Sequence, residues 1–93
     1  MNQGDFREYA TGFEEGVNKT RYKTFEETID AEVNQPDVDY TSYKSIGNAD
    51  GYNYGILLAR SGRSMAMQSL EPEIDKCFTH AIEKHNEAVR LQK

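Results

Sequence analysis

Three side chains near the C-terminus have the chemistry of metal ligands or nucleophiles. Cys77, His80 and His85 are the one cysteine and the two histidines of the 93-residue chain. On a helix, Cys77 and His80 are three residues apart, whereas His85 follows five residues later, so the three side chains converge only in part. A zinc site needs four ligands, or three and a water, and the sequence has no further cysteine or histidine. A metal-binding or catalytic protein built on these residues is therefore our second alternative, and we predict no metal and no other cofactor.

Carboxylates are abundant, but their pattern fits neither calcium binding nor acid–base catalysis. The segment that begins at Asp37 has alternating acids, yet Ser42 stands where a calcium loop needs glycine and Asn48 where it needs glutamate. Acid–base catalysis needs two carboxyl groups held in different environments within a cleft, which clustered solvent-facing acids do not supply. The sequence has no phosphate-binding glycine loop and no serine nucleophile elbow. We therefore predict that the protein is not an enzyme and has no catalytic residues.

The acidity is concentrated in one region of the chain. The net charge is −5, and from Glu26 to Asp39 there are six acids and no base. Spaced carboxylates with neighbouring tyrosines can imitate the charge spacing of a nucleic-acid backbone and occupy a basic site on another protein. We predict a small acidic binding protein, such as an inhibitor or nucleic-acid mimic of the kind that viruses and mobile elements encode. The predicted partner-binding residues are Glu26, Glu27, Asp30, Glu32, Asp37, Asp39, Tyr40 and Tyr43.

The predicted partner is a basic protein surface, for example that of a nucleic-acid-binding protein. Direct binding to nucleic acid is disfavoured because the negative charge of the chain repels phosphates. Two other interpretations stay open. The same pattern of acidic residues would occur on a solvent-exposed helix face that only keeps the protein soluble. The alternative function is a self-associating structural or accessory subunit, such as a homodimer, since 37% hydrophobic residues is a low share for so short a chain.

Length and composition predict a single compact domain that spans residues 1–93 and lies in the cytoplasm. The length suits one hydrophobic core. A lone cysteine excludes an internal disulfide and fits a reducing compartment. The sequence contains no apolar stretch long enough to span a bilayer, and residues 1–5 lack the basic and apolar parts of a signal peptide. We therefore expect no membrane partner.

Three segments have the three- and four-residue apolar spacing of amphipathic helices. The clearest runs from about residue 71 to residue 91 at the C-terminus. The N-terminal segment is a second helix, in which Gly12 and Gly16 predict the close approach of another element. A third, short helix begins at the capping residue Thr24 and ends before Pro36. We expect this short helix to bury its apolar residues, which are Phe25, Ile29 and Val33.

The middle of the chain decides the fold class. Large side chains alternate there with period two, at Tyr52, Tyr54, Ile56 and Leu58. This alternation between turn-forming sequences predicts a central strand. An earlier strand within residues 38–46 and a later one at residues 65–67 would complete a three-stranded antiparallel meander. The competing interpretation is one helix from residue 50 to residue 69, which its glycines and serines disfavour. We therefore predict an α+β fold with one or two N-terminal helices, a small three-stranded antiparallel sheet and a long C-terminal amphipathic helix, and keep an all-α helical bundle as the alternative.

Overall fold

The protein folds as a bundle of α-helices. A computed structural model describes residues 3–62 and 70–92. It contains α1 (Gln3–Thr20), α2 (Phe25–Val33), α3 (Tyr43–Arg60) and α4 (Glu71–Leu91), and no strand within those two ranges. In the same ranges, no helix combines the length and the apolar character that crossing a membrane requires.

The predicted three-stranded sheet is wrong, and the all-α alternative is confirmed. The segment predicted to be the central strand lies inside α3, and the earlier predicted strand falls in the irregular segment before α3 and in its first turn. The strand predicted at residues 65–67 lies outside the described residues. Two of the glycines that disfavoured a helix, Gly51 and Gly55, explain the error: with Gly47 they are spaced by four residues and therefore share one side of α3. Packing on that side offsets their low helix propensity.

The glycines of α1 and α3 bring the two helix backbones into direct contact. A Cβ atom added to Gly16 would lie 2.1 Å from the Asn48 carbonyl oxygen, and one added to Gly51 would lie 2.0 Å from the Phe13 carbonyl oxygen. No side chain fits between the helices at these positions. The close approach predicted for Gly12 and Gly16 is therefore confirmed.

The two helices run parallel. Gly47 lies beside Tyr9, Gly51 beside Phe13 and Gly55 beside Val17. The constant offset along both helices requires the same direction, so the chain must return between them. It returns through α2, which runs antiparallel to α3: Tyr52 contacts the C-terminal half of α2 and Arg60 contacts its N-terminal half.

The helix predicted at the C-terminus is confirmed as α4, which covers the open side of the α1–α3 pair. The ring of Phe78 lies 5.1 Å from that of Phe6, 5.3 Å from that of Tyr9 and 5.6 Å from that of Tyr43, measured between centroids. Pro72 is in the first turn, where its missing N–H breaks no helical hydrogen bond. Large aromatic side chains therefore fill the space between α4 and the glycine-paired helices.

Polar contacts attach α2 to α3. The hydroxyl of Tyr52 donates to the carbonyl oxygen of Ala31 at 2.7 Å, and Nε of Arg60 donates to Oγ1 of Thr28 at 3.0 Å. The predicted capping box at the start of α2 is confirmed: Oγ1 of Thr24 accepts from the N–H of Glu27, and the Glu27 carboxylate accepts from the N–H of Thr24. These contacts fix both the start and the orientation of the helix.

Candidate functional site

Three apolar side chains of α2 face solvent. Phe25, Ile29 and Val33 are 63%, 48% and 78% exposed. Their four-residue spacing places them along one side of the helix over a length of about 12 Å. We call these three residues the α2 stripe. The prediction that they would be buried is wrong.

The orientation of α2 follows from its small residues. Thr28 and Ala31, on the opposite side of the helix, are both buried against α3. The buried hydroxyl of Thr28 accepts the hydrogen bond from Arg60, so its burial leaves no acceptor unsatisfied. Small side chains let the backbone of α2 come close enough for Tyr52 to reach the Ala31 carbonyl. The larger apolar side chains are consequently turned outward.

The four acids of α2 divide into two pairs. Glu27 closes the capping box, and the hydrogen bonds from Thr24 hold the pKa of its carboxyl below the usual value. Glu32 forms an ion pair with Arg60, with Oε2 and Nη2 2.6 Å apart. The side chains of Glu26 and Asp30 are exposed and have no hydrogen bond or ion pair with any described residue. Among the four acids of α2, Glu26 and Asp30 are therefore the two whose carboxylates are fully available to a partner.

The other predicted binding residues lie away from α2. Asp39 accepts hydrogen bonds from the N–H and the hydroxyl of Thr41, which hold its pKa below the usual value, and Asp37 is exposed. Tyr40 is partly exposed, whereas Tyr43 is only 6% exposed and packs against α4.

The eight predicted binding residues therefore do not form one surface. The first turn of α2 lies beside the C-terminal end of α3, and the segment with Asp39 and Tyr40 lies beside its N-terminal end. Along α3, the start of α2 near Arg60 is about 22 Å from Ser45, which contacts Asp39, whereas the end of α2 near Tyr52 is about 10 Å from Ser45. An acidic surface that includes Glu26 and Asp39 would have to extend along most of α3.

The cysteine and the histidines belong to two different places. Cys77 and His80 line a cleft of about 280 Å³ between α3 and α4. Nδ1 of His85 is 3.0 Å from the carbonyl oxygen of Tyr40, and its ring lies against that of Tyr43, with centroids 4.2 Å apart and the planes tilted by 32°. Within residues 3–62 and 70–92, no three histidine, cysteine, aspartate or glutamate side chains are grouped as metal ligands.

The half-buried Asp50 carboxyl lines the cleft and is hydrogen-bonded to the buried Tyr9. The hydroxyl of Tyr9 donates to Oδ2 of Asp50 at 2.6 Å. Burial raises the pKa of the Asp50 carboxyl, and the Tyr9 hydrogen bond together with the nearby Lys84 and His80 opposes that rise. Burial and the neighbouring Glu73 raise the pKa of the Cys77 thiol to about 11. Cys77 is therefore protonated at neutral pH, and a protonated thiol is a poor nucleophile and a poor metal ligand.

The α2 stripe is the feature that the sequence analysis missed, because an amphipathic short helix was assumed to face the core. The small residues Thr28 and Ala31, three apart on the other side, were the available signal, since they permit close approach of a neighbouring helix. Comparisons with protein-family models, with curated proteins and with solved structures found no match.

Proposed function

We propose that this chain is a non-enzymatic binding protein that docks on another protein through α2. The observation that supports this most directly is the α2 stripe, in which three large apolar side chains are exposed on one side of a helix. Contiguous exposed apolar surface on a small domain is typical of an interaction site. Apolar residues at four-residue spacing are also the anchors by which helices bind to other proteins.

The negative charge of α2 supports the proposal that the partner is basic. Glu26 and Asp30 have no partner among the described residues and lie beside the apolar anchors. Charges at the rim of an interface increase the rate of association and select partners of the opposite sign. The proposal narrows the predicted binding surface to α2, because Tyr43 is part of the core and Asp39 and Tyr40 lie near the other end of α3.

The chemistry of the cleft between α3 and α4 favours binding over catalysis. The raised pKa of Cys77 keeps its thiol protonated, and Asp50 is engaged by the Tyr9 hydroxyl. A cytoplasmic location is part of the same proposal, and the lone cysteine of the sequence supports it.

Site-specific photo-crosslinking in the cells that make the protein tests the proposal. A photoreactive amino acid replaces Val33 on the α2 stripe or, as a matched control, the exposed Glu14 on α1. We expect a discrete cross-linked protein from position 33 and none from position 14. The additional change Ile29→Ser should remove the cross-link because it deletes the central anchor. Equal cross-linking from both positions would contradict the proposal.

A further inference from the structure

The charges around the α2 stripe are unequal on its two sides. At about 100° per residue, Ile29, Val33, Glu26 and Asp30 fall within roughly 100° of the helix circumference. The carboxylates therefore line one edge of the stripe. At the other edge, the guanidinium of Arg60 is 5.7 Å from the centroid of the Phe25 ring and is paired with Glu32, so this edge has no net charge.

The acidic edge is unfavourable for α2 by itself. Glu26 and Asp30 are four residues apart, and like charges at this spacing repel each other. Asp30 is also in the C-terminal half of the helix, where the helix dipole disfavours a negative charge, and the last turn of α2 has no basic residue. Basic groups supplied from outside at this edge would relieve both effects.

The shape of the stripe is that of a ridge for packing against another helix. Phe25, Ile29 and Val33 occupy positions i, i+4 and i+8, which form one of the side-chain rows that fit between the rows of a second helix. The ridge shape and the acidic edge together favour one kind of binding partner. We infer that α2 binds an amphipathic helix of a different protein, whose apolar face carries lysine or arginine along the edge that meets Glu26 and Asp30. This inference rests on the proposed function and specifies its partner.

A second copy of this chain fits the stripe poorly. In an antiparallel pair centred on Ile29, the stripes of the two copies would match, but Glu26 of one copy would lie near Asp30 of the other. In a parallel pair, the acidic edge of each copy would meet the opposite edge of the other copy, where Arg60 is already paired with Glu32. Neither arrangement brings net positive charge to the acidic edge, because α2 has no base and Arg60 is paired with Glu32.

Synthetic helical peptides provide the test. The probe is a fluorescent peptide longer than about 15 residues, with a leucine face bordered by lysines along one edge. A second peptide has glutamates in place of the lysines. Fluorescence anisotropy measures the affinity of each peptide for the purified full-length protein. We expect the lysine peptide to bind at least tenfold more tightly than the glutamate peptide, and its affinity to fall as salt increases from about 0.05 M to about 0.5 M.

Paired variants separate the apolar contribution from the charge. Ile29→Ser/Val33→Ser keeps every charge, and Glu26→Gln/Asp30→Asn keeps the stripe. We expect each pair to weaken binding of the lysine peptide at least tenfold. The control Glu8→Gln/Glu14→Gln removes two exposed carboxylates from α1 and should change the affinity less than twofold. Circular dichroism of every variant verifies that the helices are intact.

Several results would overturn the inference. These are failure of the lysine peptide to bind, unchanged affinity in Glu26→Gln/Asp30→Asn, or an equal loss in the α1 control, which would indicate only a net-charge effect. Dimerisation seen by light scattering and abolished by Ile29→Ser/Val33→Ser would identify the occupant as a second copy. If the cross-link from position 33 persists while these peptide results fail, α2 remains the docking surface and only the basic helix is wrong. If that cross-link is missing, the proposed function itself fails.

Discussion

Replacing Gly51 with alanine tests the backbone contact between α1 and α3. The new Cβ would lie 2.0 Å from the carbonyl oxygen of Phe13. An ordinary contact needs about 3.5 Å, so the carbonyl would have to retreat by about 1.5 Å. It belongs to the backbone of α1 and cannot rotate away as a side chain would. The upper range for overpacking is about 3 kcal/mol, and alanine regains about 1 kcal/mol of helix propensity. The net expected loss is about 2 kcal/mol of unfolding free energy.

Thermal unfolding followed by circular dichroism measures this loss. For a domain of this size, about 2 kcal/mol corresponds to a decrease in Tm of roughly 8–16 °C. Gly4→Ala is the matched control, because Gly4 is exposed near the start of α1 and the same substitution there should leave stability unchanged or slightly higher. If Gly51→Ala were as stable as the natural protein, the direct contact between the two backbones would be refuted.

Two further predictions concern the core and the half-buried carboxyl of Asp50. Tyr43→Ala should cost about 3–5 kcal/mol in urea unfolding because it removes a buried ring, whereas Tyr40→Ala should cost less than about 1 kcal/mol; similar losses for the two would contradict the burial of Tyr43. Because burial raises the pKa of Asp50, the ionised carboxylate destabilises the fold, so the natural protein should lose stability relative to Asp50→Asn as the pH rises from about 4 toward neutrality. Unfolding of both proteins across this range gives the difference, and a difference that does not change with pH would contradict the prediction.

The sequence correctly predicted the helices that combine amphipathic spacing of apolar residues with a capping residue or a proline at the N-terminus. The expected range of 71–91 matches α4, and Thr24 caps α2 as predicted. In both cases the signal is local, because a cap or a terminal proline acts within one turn. The spacing of Gly12 and Gly16 also predicted the close approach of another element correctly.

A strand was predicted within α3 because each glycine was considered only for its low helix propensity. Gly47, Gly51 and Gly55 reduce helix propensity one by one, but together they form the contact surface for α1. The benefit depends on a helix about 38 residues away in the chain, so a local pattern could not reveal it. The alternation of large side chains from Tyr52 to Leu58 does not come from a β-strand, because these side chains contact different parts of the protein. Tyr52 contacts α2, Tyr54 lies against Phe13, and Leu58 is buried.

The sequence predicted some of the side chains that belong to the proposed binding surface. The acids of α2 were identified, but the direction of its apolar residues depends on how Thr28 and Ala31 are buried against α3, where Arg60 contacts Thr28. The same charge pattern would accompany either orientation of the helix. Binding to a basic partner remains a prediction, now assigned to a different set of side chains.

The parallel arrangement of α1 and α3 also has a consequence for folding speed. Gly47 meets Tyr9 and Gly51 meets Phe13 across 38 residues in each case, about four-tenths of the chain length. Helical bundles usually fold within microseconds to milliseconds because their contacts are local and their relative contact order is near 0.1. Here the segment between α1 and α3, which contains α2, must close into a loop before any glycine contact forms. The chain therefore loses the conformational entropy of this loop before the contacts can stabilise it. This protein should therefore fold more slowly than its helix content suggests.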